Sequence, residues 1–98
     1  MNWTLIVRPE ARDDLTATHD YYETQQSGLG ADFQDEADAT VGRVVANPLA
    51  YAASRGGVRK ALLHRFPYVI IYRVLGQIIE VLAVIHASRH PRSWRSRL

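Results

Sequence analysis

The stretch from Tyr68 to His86, YVIIYRVLGQIIEVLAVIH, limits the possible folds of this chain more than any other. Two runs rich in β-branched and aromatic residues flank Gly76-Gln77. A glycine in the first central position of a two-residue loop marks a type II′ hairpin turn. A turn there sets Arg73 opposite Glu80, and that register aligns the apolar sets of both strands as well as their opposite charges. Strict alternation then puts Ile71, Arg73, Leu82, Val84 and His86 on one face and Ile70, Tyr72, Val81 and Ala83 on the other. Both faces are apolar, so both must be covered. VRKALL, residues 58–63, supplies a third strand and makes the hairpin a meander.

The first half of the chain supplies one cover. WTLIVR, residues 3–8, reads as a short strand. Pro9 sits at a first helical position, and Glu10, Asp13 and Asp14 follow where the helix dipole favours acids. Ala11, Leu15, Thr18 or His19, and Tyr22 recur at helical spacing and predict a helix over about residues 9–25. QSGLG closes it, with Gly28 as a left-handed cap. Phe33, Ala37, Val41, Val44 and Val45 form the stripe of a second helix, which Asn47-Pro48 stops. A link this short makes the two helices an antiparallel hairpin. Residues 49–57 read as an irregular connection. One helical hairpin covers one face of the sheet, leaving the other to the C-terminal tail or to a partner. The expectation is a single α+β domain over residues 1–98, with an N-terminal strand, a helical hairpin, a three-stranded antiparallel meander and a basic tail.

Charge divides the chain. Residues 1–50 carry nine acids against three arginines, and residues 51–98 carry nine basic groups against Glu80 alone, a balance of −6 followed by +8. Eleven of the twelve basic residues are arginine, which grips carboxylates and phosphates with a planar fork. The second half therefore suits an acidic or nucleic-acid partner, or it is neutralised by the first half within the fold. With no cysteine, disulfides are excluded and a cytoplasmic location is expected. No apolar run approaches the ~20 residues of a membrane helix, and the N-terminus carries no cleavable signal pattern.

Beyond Ile85 the chain reads HASRHPRSW. An imidazole that titrates near neutrality beside guanidinium groups is what phosphodiester cleavage uses, so His86 and Arg89 are candidate catalytic groups, with His64 at the end of a neighbouring strand. The alternative is a strand-end histidine bonded to backbone and followed by a solvated tail. The only acid near this strand in sequence is Glu80, which the register pairs with Arg73. His86 and His90 have a spacing that joins two rings on a helix, not after a strand and before Pro91, so no metal site is expected, and no cofactor motif is present. Arg59, Arg65, Arg73, Arg89, Arg92 and Arg95, with Trp94 among them, are candidates for binding a partner or target. Trp94 could instead fold back to cap the core.

The order of elements, and above all RFPYVIIYRV followed by IIEVLAVIHASRHPRSW, resembles the RelE/ParE toxins of type II toxin–antitoxin operons. The opening strand and helices match more loosely. The resemblance implies a toxin that is neutralised by a cognate antitoxin, ParD-like, with an acidic C-terminal segment that orders on binding in a hetero-oligomeric complex. RelE-like members cleave mRNA on the ribosome with a spread of Lys and Arg and a Tyr or His near the last strand. ParE-like members lack that set and inhibit DNA gyrase. Here there is one lysine, and Trp94 stands where a catalytic tyrosine is expected. The resemblance thus favours a ParE-like gyrase inhibitor that is not an enzyme. The alternatives are a RelE-like endonuclease and a non-toxic relative that only binds antitoxin.

Overall fold

The computed structural model describes residues 2–98. Its centre is one four-stranded sheet of β1 (Thr4–Val7), β2 (Val58–Leu62), β3 (Tyr68–Leu75) and β4 (Ile78–His86) in the order β1-β4-β3-β2. Strands β2, β3 and β4 form the expected antiparallel meander, and the N-terminal strand joins it by pairing parallel to β4, Thr4 opposite Ile78 through Val7 opposite Val81. The β3–β4 turn is built as the sequence predicts. Gly76 has φ +60°, while among the described residues no non-glycine residue, Gln77 included, has a positive φ, which is the type II′ pattern. Arg73 sits opposite Glu80 and its Nε donates to Glu80 Oε1 over 2.6 Å.

One irregularity overturns the simple alternation of faces. The register passes from Tyr72 opposite Val81 to Ile71 opposite Ala83, so Leu82 is an extra residue on β4. Such a bulge resets the two-residue period of the strand. Leu82, Ala83 and Ile85 therefore pack with Ile71 on one side, and Val84 packs with Val81, Ile70 and Tyr72 on the other. His86 moves with Val84. Its ring meets Tyr68 edge-on at 5.4 Å, on the side opposite Ile71 and Leu82.

Helices α1 (Pro9–Gln25) and α2 (Leu29–Ala46) cover the Tyr72 side. Tyr22, Phe33, Phe66 and Tyr68 interlock at 4.9–6.0 Å between ring centres, within the range for favourable aromatic pairs. The buried Tyr72 hydroxyl donates to Pro48 O at 2.6 Å and ties down the chain leaving α2; burial raises its pKa to about 12. Acids of the helices hold the turns. Glu23 accepts from the amides of Gly28 and Gly30, at 3.0 Å each, across the helix–helix link, where Gly28 adopts the left-handed φ of 88°. Glu36 accepts from His64 N at 2.6 Å and Arg65 N at 3.0 Å, joining α2 to the β2–β3 loop.

The C-terminal tail covers the second face. A single helical turn, α3 (Arg92–Arg95), lays Trp94, 2% exposed, among Val58, Ile71, Leu82, Ala83 and Ile85. The tail also finishes the sheet edge. β1 gives its last bond from Arg8 N to Val81 O at 3.0 Å. Beyond that point Val84 N donates to Asp14 Oδ2 and Leu82 O accepts from Arg97 Nη1, both at 3.0 Å. Asp14 and Arg97 also pair with each other at 2.7 Å. A carboxylate and a guanidinium thus satisfy the backbone groups that a longer β1 would have satisfied.

Candidate functional site

Where α1 meets the end of β4 there is an open cleft of about 140 Å³. His86 and Arg89, predicted as partners, both line it. Asp14 and Tyr68, which the sequence reading passed over, line it too. Asp14 did leave a trace in the sequence: Ala11, Asp14 and Thr18 fall at helical spacing, which places an acid on the core-facing row of α1. Glu80 is the only acid near this strand in sequence, but the fold brings Asp14 to it across 70 positions.

That carboxylate is engaged. Both of its oxygens receive Arg97, at 2.7 and 3.3 Å, and one also receives Val84 N. The arrangement keeps the Arg97 pKa raised, chiefly through the hydrogen bond to Asp14. His86 is equally specific. Its Nδ1 accepts the Ser88 amide at 3.0 Å and lies 2.7 Å from the Ser88 hydroxyl. A nitrogen that accepts an N–H carries no proton of its own, so the neutral ring holds its hydrogen on Nε2. That Nε2 has no hydrogen-bond partner among the described residues. His86 Nδ1 is thus already engaged by Ser88.

The other candidates separate into two sets. His64 is exposed, does not line the cleft, and has its amide on Glu36; β3 lies between its strand and β4. Arg59 donates to Tyr51 O and holds the irregular connection in place. Arg73 is committed to Glu80, which Arg8 also approaches at 3.5 Å. Trp94 is turned into the core, with Lys60 and Arg95 against its ring at 5.9 and 5.6 Å. These three candidates serve the fold. Arg65, 63% exposed at the side chain, lies over the Phe66 ring at 5.6 Å and has a 3.7 Å surface contact with Asp32, an exposed pairing of ~0–1 kcal/mol. Arg89, Arg92 and Arg95 make no ion pair among the described residues and stand exposed along the tail. Among those residues no group of three His, Asp or Glu is arranged to hold a metal.

The family described as the ParE toxin of the type II toxin–antitoxin system parDE matches residues 5–91. The chain belongs to the ParE toxin family. Its fold is similar to a solved structure of a chromosomal ParDE toxin–antitoxin system from P. aeruginosa, with TM-score 0.76 and 27% identity over 86% of this chain and 95% of that one. The toxin–antitoxin complex RelBE2 from Mycobacterium tuberculosis shares the fold at TM-score 0.59 and 20% identity, over 88% and 99% of the two chains. A search of curated protein sequences returned no match. The match to the ParE family spans both the helical hairpin and the whole of β4, and it includes His86 and Arg89; α3, Trp94 and Arg97 fall beyond it. The second cover of the sheet thus lies outside the matched segment, although this toxin's core depends on it.

Proposed function

We propose that this toxin is a ParE-like inhibitor of DNA gyrase, acts in the cytoplasm without cleaving RNA, and is neutralised by a ParD-like antitoxin. The observation that carries this reading is the state of His86. General base catalysis needs a ring nitrogen free to take a proton, and here Ser88 engages Nδ1 through both its amide and its hydroxyl. The acid nearest the cleft is saturated by Arg97, and the residue at the expected tyrosine position is a buried indole. What remains is a cationic contact surface.

Likeness to the ParDE structure supports the antitoxin. An acidic segment suits Arg65, Arg89, Arg92 and Arg95. Part of the sheet face beyond the reach of Trp94 is also bare, with Ile6, Leu75 and Ile78 exposed around the Arg73–Glu80 pair. The test uses purified toxin in two assays. Gyrase supercoiling should stall and recover on addition of the antitoxin, while a ribosome-programmed reaction should leave mRNA intact. Ribosome-dependent RNA fragments would assign the chain to the RelE-like alternative. Failure in both assays, with antitoxin binding retained, would mark it as the non-toxic relative.

A further inference from the structure

We infer that the free edge of β1 pairs antiparallel with β1 of a second copy of this chain, joining two four-stranded sheets into one. The strand order leaves β1 outermost. Thr4 N donates to Gln77 O and Arg8 N to Val81 O, so the even-numbered residues of this strand bond inward to β4. By alternation the amides and carbonyls of Leu5 and Val7 point away from the sheet. No loop or side chain among the described residues bonds to them. The side chains agree. Leu5 and Ile6 lie on opposite faces of the strand yet are 39% and 44% exposed, whereas β2, the other outer strand, buries Val58 and Ala61. That second edge is also guarded. Ala53 bridges Arg59, the amide and hydroxyl of Ser54 both donate to Val58 O, and Lys60 stands exposed on the strand. TLIV of β1 holds no charge, proline or bulge.

Charge selects the occupant. An acidic segment is drawn to unpaired cations, and this edge offers none. Arg8 lies between Glu10 and Glu80, each at 3.5 Å, and Arg73 is held by Glu80. A neutral apolar strand fits its own copy. About a two-fold axis, the outward residues of one β1 face those of the other, and the same bonds satisfy both chains. Placing Ile6 at the axis sets Leu5 opposite Val7 of the partner subunit and Arg8 opposite Thr4 of the partner subunit. The two Arg8 residues then stand ~13 Å apart along the strands, at ~3.3 Å per residue, beyond the ~8 Å over which salt leaves charges unscreened. The axis also brings the exposed Ile6, Leu75 and Ile78 beside their copies, as one apolar strip on the outer face. The inference stands apart from the choice of target, because the pairing needs neither gyrase nor ribosome.

The experiment combines sedimentation equilibrium with amide hydrogen exchange on the full chain, without antitoxin, across a dilution series. The concentrated chain should be a dimer. Leu5 and Val7 amides should be protected there and lose protection on dilution, while those of Thr4, Ile6 and Arg8 stay protected throughout. Leu5→Pro removes a hydrogen that the fold itself leaves unused, at an edge position where proline is tolerated. It should weaken the dimer about tenfold or more, because a hydrogen bond is lost from each chain. Ile6→Lys keeps the backbone intact and should weaken the dimer as much, by setting like charges at the axis. It decides the matter should Leu5→Pro fail to fold, as loss of β3 and β4 amide protection would reveal. Leu62→Lys, at an exposed position on the other edge strand, should stay within about threefold of the unaltered chain. A chain that remains monomeric at millimolar concentration overturns the inference. So does a dimer whose Leu5 and Val7 amides exchange as fast as in the monomer, or one that Leu62→Lys weakens as much as Ile6→Lys does. Protection of Leu5 and Val7 that arises only when antitoxin is added would also overturn it and give the edge to a strand of the antitoxin.

Discussion

The two faces of the sheet are covered by very different means. On one side two helices of 17 and 18 residues press an interlocked set of aromatic rings onto β2, β3 and β4. On the other side a four-residue turn delivers a single tryptophan, and two arginines fasten the end of the tail, Arg97 to α1 and the sheet edge and Arg8 to the Arg97 carbonyl. The tail is also less completely satisfied, since Ser93 Oγ is buried without a partner among the described residues. The contrast separates two kinds of stability. The helical face is bound into cooperative folding by many contacts, whereas the tail rests on few and can open while the rest stays folded. The exposed Arg92 and Arg95 lie on the lightly held cover, whereas the cleft opens on the helical side, beside α1.

The largest effect should come from the helical face. Phe33 is fully buried at the centre of the aromatic cluster. Phe33→Ala should cost ~3–5 kcal/mol, a large share of the ~5–15 kcal/mol that holds a domain folded. Urea denaturation should show one transition moved to much lower midpoint. A loss under ~1 kcal/mol would mean that the cluster is not the cooperative centre.

Trp94→Ala removes a larger side chain yet should cost less, ~2 kcal/mol, because the loss cannot exceed the free energy of tail docking. Hydrogen exchange distinguishes the two covers. Amides of Leu82–Ile85 and the tail should lose protection while those of α1 and α2 keep theirs. Equal loss on both sides would show that the covers form one unit. This placement of Trp94 also means that deleting residues 89–98 exposes Ile71, Leu82 and Ile85, so a truncation removes stability together with any target contact.

Arg97→Met tests the fastening itself and should cost about 1 kcal/mol. It leaves Asp14 and Leu82 O short of a partner, but both can reach water once the tail loosens. The double variant with Trp94→Ala should be little worse than Trp94→Ala alone, because an undocked tail has no fastening left to lose. Additive costs would argue that Arg97 holds the sheet edge independently of the tail.

Much of this was legible in the sequence where interactions are local. Pro9, Gly28 and Asn47-Pro48 punctuate the helices close to where they start and stop, and Gly76 with the Arg73–Glu80 pair fixes the hairpin register. The features that were not legible arise from long-range geometry. The parallel pairing of β1 with β4 joins segments more than 70 residues apart, and no turn residue announces it. The bulge at Leu82 occurs in an unbroken apolar run without glycine, so strict alternation placed Ala83, Val84 and His86 on the wrong sides. For Trp94 the sequence offered two readings, a contact residue among arginines and a cap folded back on the core, and the structure shows the cap. The uncovered apolar face of Ile71, Leu82 and Ile85 decides between them.

The smallest effect is expected at the polar joints of the helical face, and acid should reveal it. Glu36 has its pKa lowered from the ordinary 4.5, first by the Arg65 amide and further by that of His64, and Glu23 is lowered by the amides of Gly28 and Gly30. A carboxylate depressed in the folded state adds stability that is fully present above its unfolded value and is lost as pH falls through the folded one. Both contributions are therefore present at pH 7 and fade below about pH 4.5. Both side chains reach solvent, so each effect is modest. Comparing urea midpoints at pH 7 and near pH 3.5, the unaltered chain should lose more on acidification than Glu36→Gln, whose amide oxygen still accepts a hydrogen bond but does not titrate. A Glu36→Gln profile parallel to that of the unaltered chain would show that the α2–loop joint holds without its charge. The acid sensitivity of the helical cover would then have to come from Glu23, where the same substitution provides the matching test.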